Sequence, residues 1–190
     1  MLPASTALLL INVQKAWDDP HWGARSHPEA EQRIQALLAD FRKSGRPVFH
    51  IRHDALDPNS PLFPGEPGNA FKGEGAPLPG EQVLAKVGHS AFAGTALEQH
   101  LRAQGVDRLV VAGFSAADDV SSTVRAATDL GFKVMLMLDA IVAFELEDAA
   151  GQVLAPEIIH RVVLAELQGV FGLVMETAAL LPHVSFTQRG

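Results

Sequence analysis

The chain has 190 residues, 47% of them hydrophobic and 19% charged, with a formal net charge of −7 and no cysteine. That size suits one domain, residues 1–190, with a substantial core, and the composition excludes a disordered chain. The acidic balance argues against nucleic acid or an anionic membrane as partner. The lack of cysteine excludes a disulfide framework, a thiolate zinc site and a cysteine nucleophile. The opening MLPASTALLLINVQ has no basic stretch and only a short apolar run, so it reads as a first strand and not as a signal peptide. No apolar run approaches the ~20 residues that span a bilayer. A soluble cytoplasmic protein is the expectation.

Residues 7–12 (ALLLIN) are apolar on both faces, as a central parallel strand should be. Residues 28–45 place Ile34, Leu37, Leu38 and Phe41 on one face and end on glycine, which predicts an amphipathic helix. Residues 47–52 (PVFHIR) make the second strand. The stretch 53–80 is rich in proline and glycine and predicts a long loop, a length that is often functional. Residues 82–87 (QVLAKV) make a short third strand, and 95–104 a helix that Thr95 caps. Residues 108–113 form strand four. A helix then begins near Asp118 or Asp119 and runs to Leu130. Its first turn carries two carboxylates, where free N–H groups and the helix dipole favour negative charge. Residues 133–138 (KVMLML) are strand five, 156–170 an amphipathic helix, and Leu173–Met175 the sixth strand.

This alternation implies right-handed crossovers and an α/β fold with a six-stranded parallel sheet covered by helices on both faces. A doubly wound, Rossmann-like order 3-2-1-4-5-6 puts the C-terminal ends of strands one and four side by side at the switch point, where such sheets bind ligands. Asn12 then faces Asp119, and Lys86 enters from the end of strand three. No Gly-x-Gly-x-x-Gly follows strand one and the P-loop pattern does not occur, so no nucleotide cofactor is indicated.

Three segments in order now match one pattern. ALLLINVQKAW resembles the opening strand of the isochorismatase-like (cysteine hydrolase) superfamily, Ile-Asp-x-Gln with an aromatic three residues on, at Ile11, Gln14 and Trp17. AKVGHSAFAGTALEQHL is similar to the lysine segment at Lys86, Ser90, Phe92, Gly94, Thr95 and Leu97. GFSAADDVSSTVRAATDLGF is similar to the nucleophile segment at Gly113, Val120, Thr123, Arg125, Ala127 and Gly131. HIRHD with PLFPGEPG also looks like a branch of the family, so the resemblance covers nearly the whole chain.

The resemblance implies the doubly wound fold and an Asp–Lys–Cys triad acting on amides, imides and related substrates. The aspartate deprotonates the cysteine, the lysine holds the charges, and backbone N–H groups stabilise the oxyanion. Carried over by position, the lysine is Lys86, the aspartate position holds Asn12, and the cysteine position holds Asp119. The thiol mechanism is therefore closed to this chain. True isochorismatases also lack the cysteine, but use the aspartate that is replaced here. The family's non-proline cis peptide corresponds to Phe114–Ser115, with the oxyanion N–H groups at Ser115 and Asp119. Members are commonly homo-oligomers, and Val162, Val163, Leu164, Leu167 and Phe171 form an apolar load that covers the sheet and leaves some for an interface.

Each site residue has a plainer reading beside the functional one. Asp119 is either a helix cap or a carboxylate paired with Lys86, acting as a base that orients water or as a nucleophile. Asn12 either donates to Asp119 or a substrate oxygen, or ties down its strand end. Lys86, flanked by apolar residues, calls for a partner. His50, His53 and Asp54 resemble metal ligands in type, but positions 50 and 53 point to opposite sides of a strand and the family's metal-binding arrangement is missing, so no metal is expected. His53 and His89 reach the crevice mouth as proton donors or as solvated loop residues, and His160 is a packing histidine. Trp17, Trp22, Phe63, Phe71 and Phe92 are candidate walls, with Trp17 and Phe92 favoured and Phe114 beside them. The leading expectation is a small-molecule hydrolase with an Asn12–Lys86–Asp119 centre. The alternative is an inactive homologue that binds a small molecule or partner subunit.

Overall fold

The structure is a computed structural model and describes residues 1–184; the last six positions of the expected domain lie outside it. Its strands are β1 (Thr6–Ile11), β2 (Val48–His53), β3 (Gln82–Lys86), β4 (Arg108–Phe114), β5 (Lys133–Val142), β6 (Leu146–Glu147), β7 (Val153–Leu154) and β8 (Leu173–Met175). Its helices are α1 (Ala30–Lys43), α2 (Leu97–Ala103), α3 (Ser121–Asp129), α4 (Pro156–Leu167) and α5 (Thr177–Val184). Six strands pair in parallel in the order β3-β2-β1-β4-β5-β8. The sixth strand of the expected order 3-2-1-4-5-6 is β8, because β6 and β7 form a separate antiparallel pair.

The period of two along β1 builds both halves of the core. Leu8 and Leu10 pack with Ile34, Leu37, Leu38 and Phe41 of α1 and with Leu180 of α5. Ala7, Leu9 and Ile11 pack on the other face with α2, α3 and α4 through residues such as Leu97, Val124 and Leu164. Burial on both faces is why β1 reads as an unbroken apolar run.

Four elements depart from expectation. The fourth crossover starts earlier, with a π turn over Ala116–Val120 ahead of α3. β5 does not stop at Leu138 but continues to Val142, with a register shift against β4. Asp139 interrupts its apolar pattern, yet that carboxylate accepts from the Thr177 N–H and hydroxyl at 2.8 and 2.7 Å, capping α5 from a distance. The helix expected to reach Val170 ends at Leu167, and α5 was not foreseen. Thr95 lies just ahead of α2, and its hydroxyl accepts from the Leu97 N–H at 3.2 Å. Among the described residues no helix is long and apolar enough to cross a membrane.

Candidate active site

The sheet order brings the ends of β1, β3 and β4 to one edge. Ile11 pairs with Gly113, and His53 pairs with Lys86. Gly113 has φ +130, and a Cβ there would lie 2.0 Å from the Ile11 carbonyl oxygen, so only glycine lets β4 pass this close to β1. The Phe114–Ser115 peptide that follows is cis. The chain then enters the π turn, and Asp119 points to Lys86.

Lys86 is 1% exposed, so its three ammonium protons need partners. They have them: the Asp119 carboxylate, the Gly88 carbonyl at 2.9 Å and His53 Nδ1 at 2.9 Å. His53 Nδ1 thus sits between the Lys86 ammonium and the Asp119 carboxylate. Asp119 is 4% exposed, and its Oδ1 also lies 3.6 Å from His53 Nδ1 and 3.9 Å from His89 Nδ1. Burial opposes ionisation of Asp119, but His53 and the Lys86 charge outweigh it and hold the carboxyl below the usual aspartate range. Burial pulls the Lys86 ammonium down, and Asp119 compensates only in part.

Asn12 is fully buried at the end of β1 with φ +50, a left-handed conformation that asparagine tolerates better than most residues. Its backbone N–H donates to the Ile51 carbonyl at 2.9 Å, and neither side-chain polar atom has a partner. It thus makes no hydrogen bond to Asp119. Gln14 has a clear positioning task. Its amide accepts from the His53 N–H at 2.8 Å and donates to the His53 and Asn69 carbonyls at 3.0 and 2.9 Å, which fixes the end of β2. Thr123 ties the lysine segment to α3 by accepting from the Ala91 N–H at 2.9 Å.

A pocket of about 460 Å³ opens beside this ion pair. His53, His89, Ser115, Ala117 and Asp118 form the wall above Asp119. Trp17, Trp22 and Phe144 form an aromatic wall, with ring centroids 4.7, 5.4 and 6.1 Å apart in pairs. Glu145 and Leu146 close one side, and Ala55, Ser60 and Leu62 of the long loop close another. Phe114 is not on the wall. It is fully buried behind Trp17, stacked at 6.2 Å. Phe92 lies elsewhere, stacked on Phe132 at 5.8 Å in the opposite half of the core. Phe71 packs edge-on against His50, and Phe63 is not among the lining residues.

The histidines diverge. His50 bonds Glu81 at 2.8 Å, and Asp54 is held by Arg52 and Asn69 at 2.7 and 3.0 Å. His160 bonds the Leu138 carbonyl at 2.9 Å and packs on His27 at 4.3 Å. The described residues contain no cluster of three or more His, Asp or Glu arranged to hold a metal.

The Isochorismatase domain family matches residues 6–179. The chain belongs to the isochorismatase family. The isochorismatase-family protein YrdC of Bacillus subtilis is 34% identical over 175 residues, covering 92% of this chain and 94% of its own. Streptothricin hydrolase of Streptomyces noursei is 35% identical over 146 residues, covering 75% of this chain and 51% of that enzyme. An isochorismatase-family structure from Chromobacterium violaceum superposes with a TM-score of 0.93 at 46% identity, covering 97% of this chain and 95% of the other. Within this isochorismatase fold, the missing thiol is a property of the whole chain, since it has no cysteine at all. Sequence reading missed Phe144, Glu145 and Leu146, because it ended β5 at Leu138 and left the following stretch unassigned.

Proposed function

We propose that this isochorismatase-family chain hydrolyses a small amide, imide or enol ether by direct attack of water, with Asn12, Lys86 and Asp119 in the places of the family triad. The observation that carries this reading is the saturated Lys86. All three of its protons are taken inside the protein, so Asp119 is fixed as a carboxylate beside an open pocket. For an amide, Asp119 accepts a proton as the water oxygen bonds to the carbonyl carbon. The carbonyl electron pair moves onto oxygen, where N–H groups of the first turn at Ser115–Asp119 receive it. The C–N bond then breaks, and the proton on Asp119 passes to the departing nitrogen. Asn12 does not titrate and carries no proton in this scheme.

The test is a screen of small amides, imides and enol ethers in ¹⁸O-water with the wild type and Asp119→Asn, checked for folding by circular dichroism. One label atom enters the product per turnover, and Asp119→Asn lowers kcat ~10²-fold or more, the range of a general base. Equal rates for both proteins would remove Asp119 from the chemistry. The same saturation of Lys86 also favours a second reading, a ligand-binding homologue without turnover, because a fully paired ammonium has no proton to offer a substrate. Absence of turnover with retained binding would select it. The reading includes a cytoplasmic homodimer of a one-domain chain that needs no metal or cofactor.

A further inference from the structure

We propose that the pocket selects substrates bearing a cationic, ammonium-type group; this rests on the hydrolase reading above and names its substrate class. No lysine or arginine is among the lining residues, whereas Asp118 and Glu145 both are. Among the described residues neither carboxylate has a basic ion-pair partner. Asp118 meets only the Ser115 hydroxyl, at 3.4 Å, and the Glu145 carboxylate lies against Gly23. The nearest ammonium, Lys86, is cancelled by Asp119. Two further cations, Arg25 and Lys72, sit 5.7 and 5.2 Å from the ring of Phe114, behind the wall, and are themselves paired with Glu31 and, for Lys72, Asp18. His21, stacked on Trp22 at 4.1 Å, is held at 3.0 Å by Asp19.

The aromatic wall supplies the complementary half. Trp17, Trp22 and Phe144 present aromatic surface, and indole and phenyl rings attract a cation within ~6 Å of their centroids. A pocket lined by aromatic rings and two unpaired carboxylates favours a cation over an anion or a neutral group of the same shape. An ammonium seated there leaves the remainder of the 460 Å³ pocket for a scissile group near His53 and His89, whose rings adjoin Asp119. The same potential rejects carboxylate-bearing ligands.

Three matched amides test this: 4-(trimethylammonio)butanamide, its neutral isostere 5,5-dimethylhexanamide, and anionic 4-carbamoylbutanoate. The chain has two tryptophans, Trp17 and Trp22, both on the pocket wall, so intrinsic fluorescence reports binding there. At about pH 8, above the ordinary imidazole range, the cationic amide should bind about tenfold tighter than the neutral one, the scale of one desolvated cation–π contact with carboxylate support. The anionic amide should bind more weakly than either. Glu145→Gln with Asp118→Asn should bring the cation-to-neutral affinity ratio close to one and remove its salt dependence, and Glu145→Asp should restore part of it. Neutral or anionic amides binding as tightly as the cation, an unaltered preference in the double variant, or no binding of the cation at millimolar concentration would each overturn the proposal. Turnover is scored separately. A cation preference in binding with no hydrolysis overturns the hydrolase reading and upholds the selectivity. Faster hydrolysis of the neutral or anionic amide does the reverse.

Discussion

Lys86 shows how a residue and its chief partner can be named from sequence while its other contacts cannot. Its apolar neighbours make an unpartnered ammonium implausible, so a carboxylate partner is legible, and Asp119 supplies it. The other two partners, the Gly88 carbonyl and His53 Nδ1, depend on how the chain turns after β3 and on where Gln14 holds the end of β2, and no local pattern reports either. Asn12 is the converse case. Its position follows from the family motif, but its full burial with both polar atoms unpaired does not. This gives a sharp experiment on what the site still supports. In the double variant Asn12→Asp with Asp119→Cys, a base returns beside a thiol, and Lys86 is poised to hold the thiolate. Iodoacetamide should alkylate that cysteine rapidly and stoichiometrically at neutral pH, with an apparent thiol pKa below the unperturbed ~8.5. The Asp119→Cys single variant, lacking the base, should react more slowly. Equal, slow alkylation of both would mean the pocket no longer accommodates a thiolate, and the ligand-binding reading would gain.

At the scale of elements, periodicity located five of the six sheet strands to within two residues and failed on β5, where Asp139 breaks the apolar run and finds its partners 38 residues away in Thr177. The long stretch after β2 is a loop as expected, but it is stapled. Asn69 donates to the His53 and Leu62 carbonyls at 3.0 and 2.8 Å, Lys72 pairs with Glu31 of α1, and Glu81 holds Arg42 of α1 at 2.7 Å and His50 at 2.8 Å. Burial opposes ionisation of Glu81, but Arg42 and the Leu78 N–H outweigh it and lower its pKa from 4.5 to about 2. Glu31 is likewise lowered from 4.5 to about 2, burial being outweighed by Arg25 and Lys72. Both folded values lie below the unfolded one, so these straps stabilise the fold fully above 4.5 and lose that contribution as pH falls through about 2. Urea midpoints measured from neutral pH downward should therefore fall steeply below 4.5. In Glu81→Gln the neutral-pH midpoint should be lower and the acid slope shallower. An acid slope identical to the wild type's would show that Glu81 contributes nothing to it.

For the whole molecule, the sheet order was legible because right-handed crossovers leave few ways to thread six parallel strands, and the family motifs fix which ends meet. The expectation of a homo-oligomer rests on an apolar load, and composition does not show which part of that load the sheet consumes. The structure divides that load. Leu167 is fully buried and Leu164 nearly so, and Val163 and Phe171 are partly covered against the sheet. Val162 remains 54% exposed, next to Ile158 at 50% on the same helix and Leu173 at 52% on the short edge strand β8. Ile158 and Val162 are four apart, so they share one stripe of α4, and they border a groove of about 570 Å³ that Leu138 and Val174 also line. A second copy of the chain, packing α4 against α4 about a two-fold axis, would cover this stripe with its own equivalent, and a stable pair should bury at least ~1,000 Å² in total. Light scattering at micromolar concentration should then give twice the monomer mass. Val162→Glu, which places two like charges at the centre of that face, should return it to the mass of one chain without lowering its thermal midpoint by more than a few degrees. A monomeric wild type, or a Val162→Glu protein that stays dimeric, would move the interface away from α4.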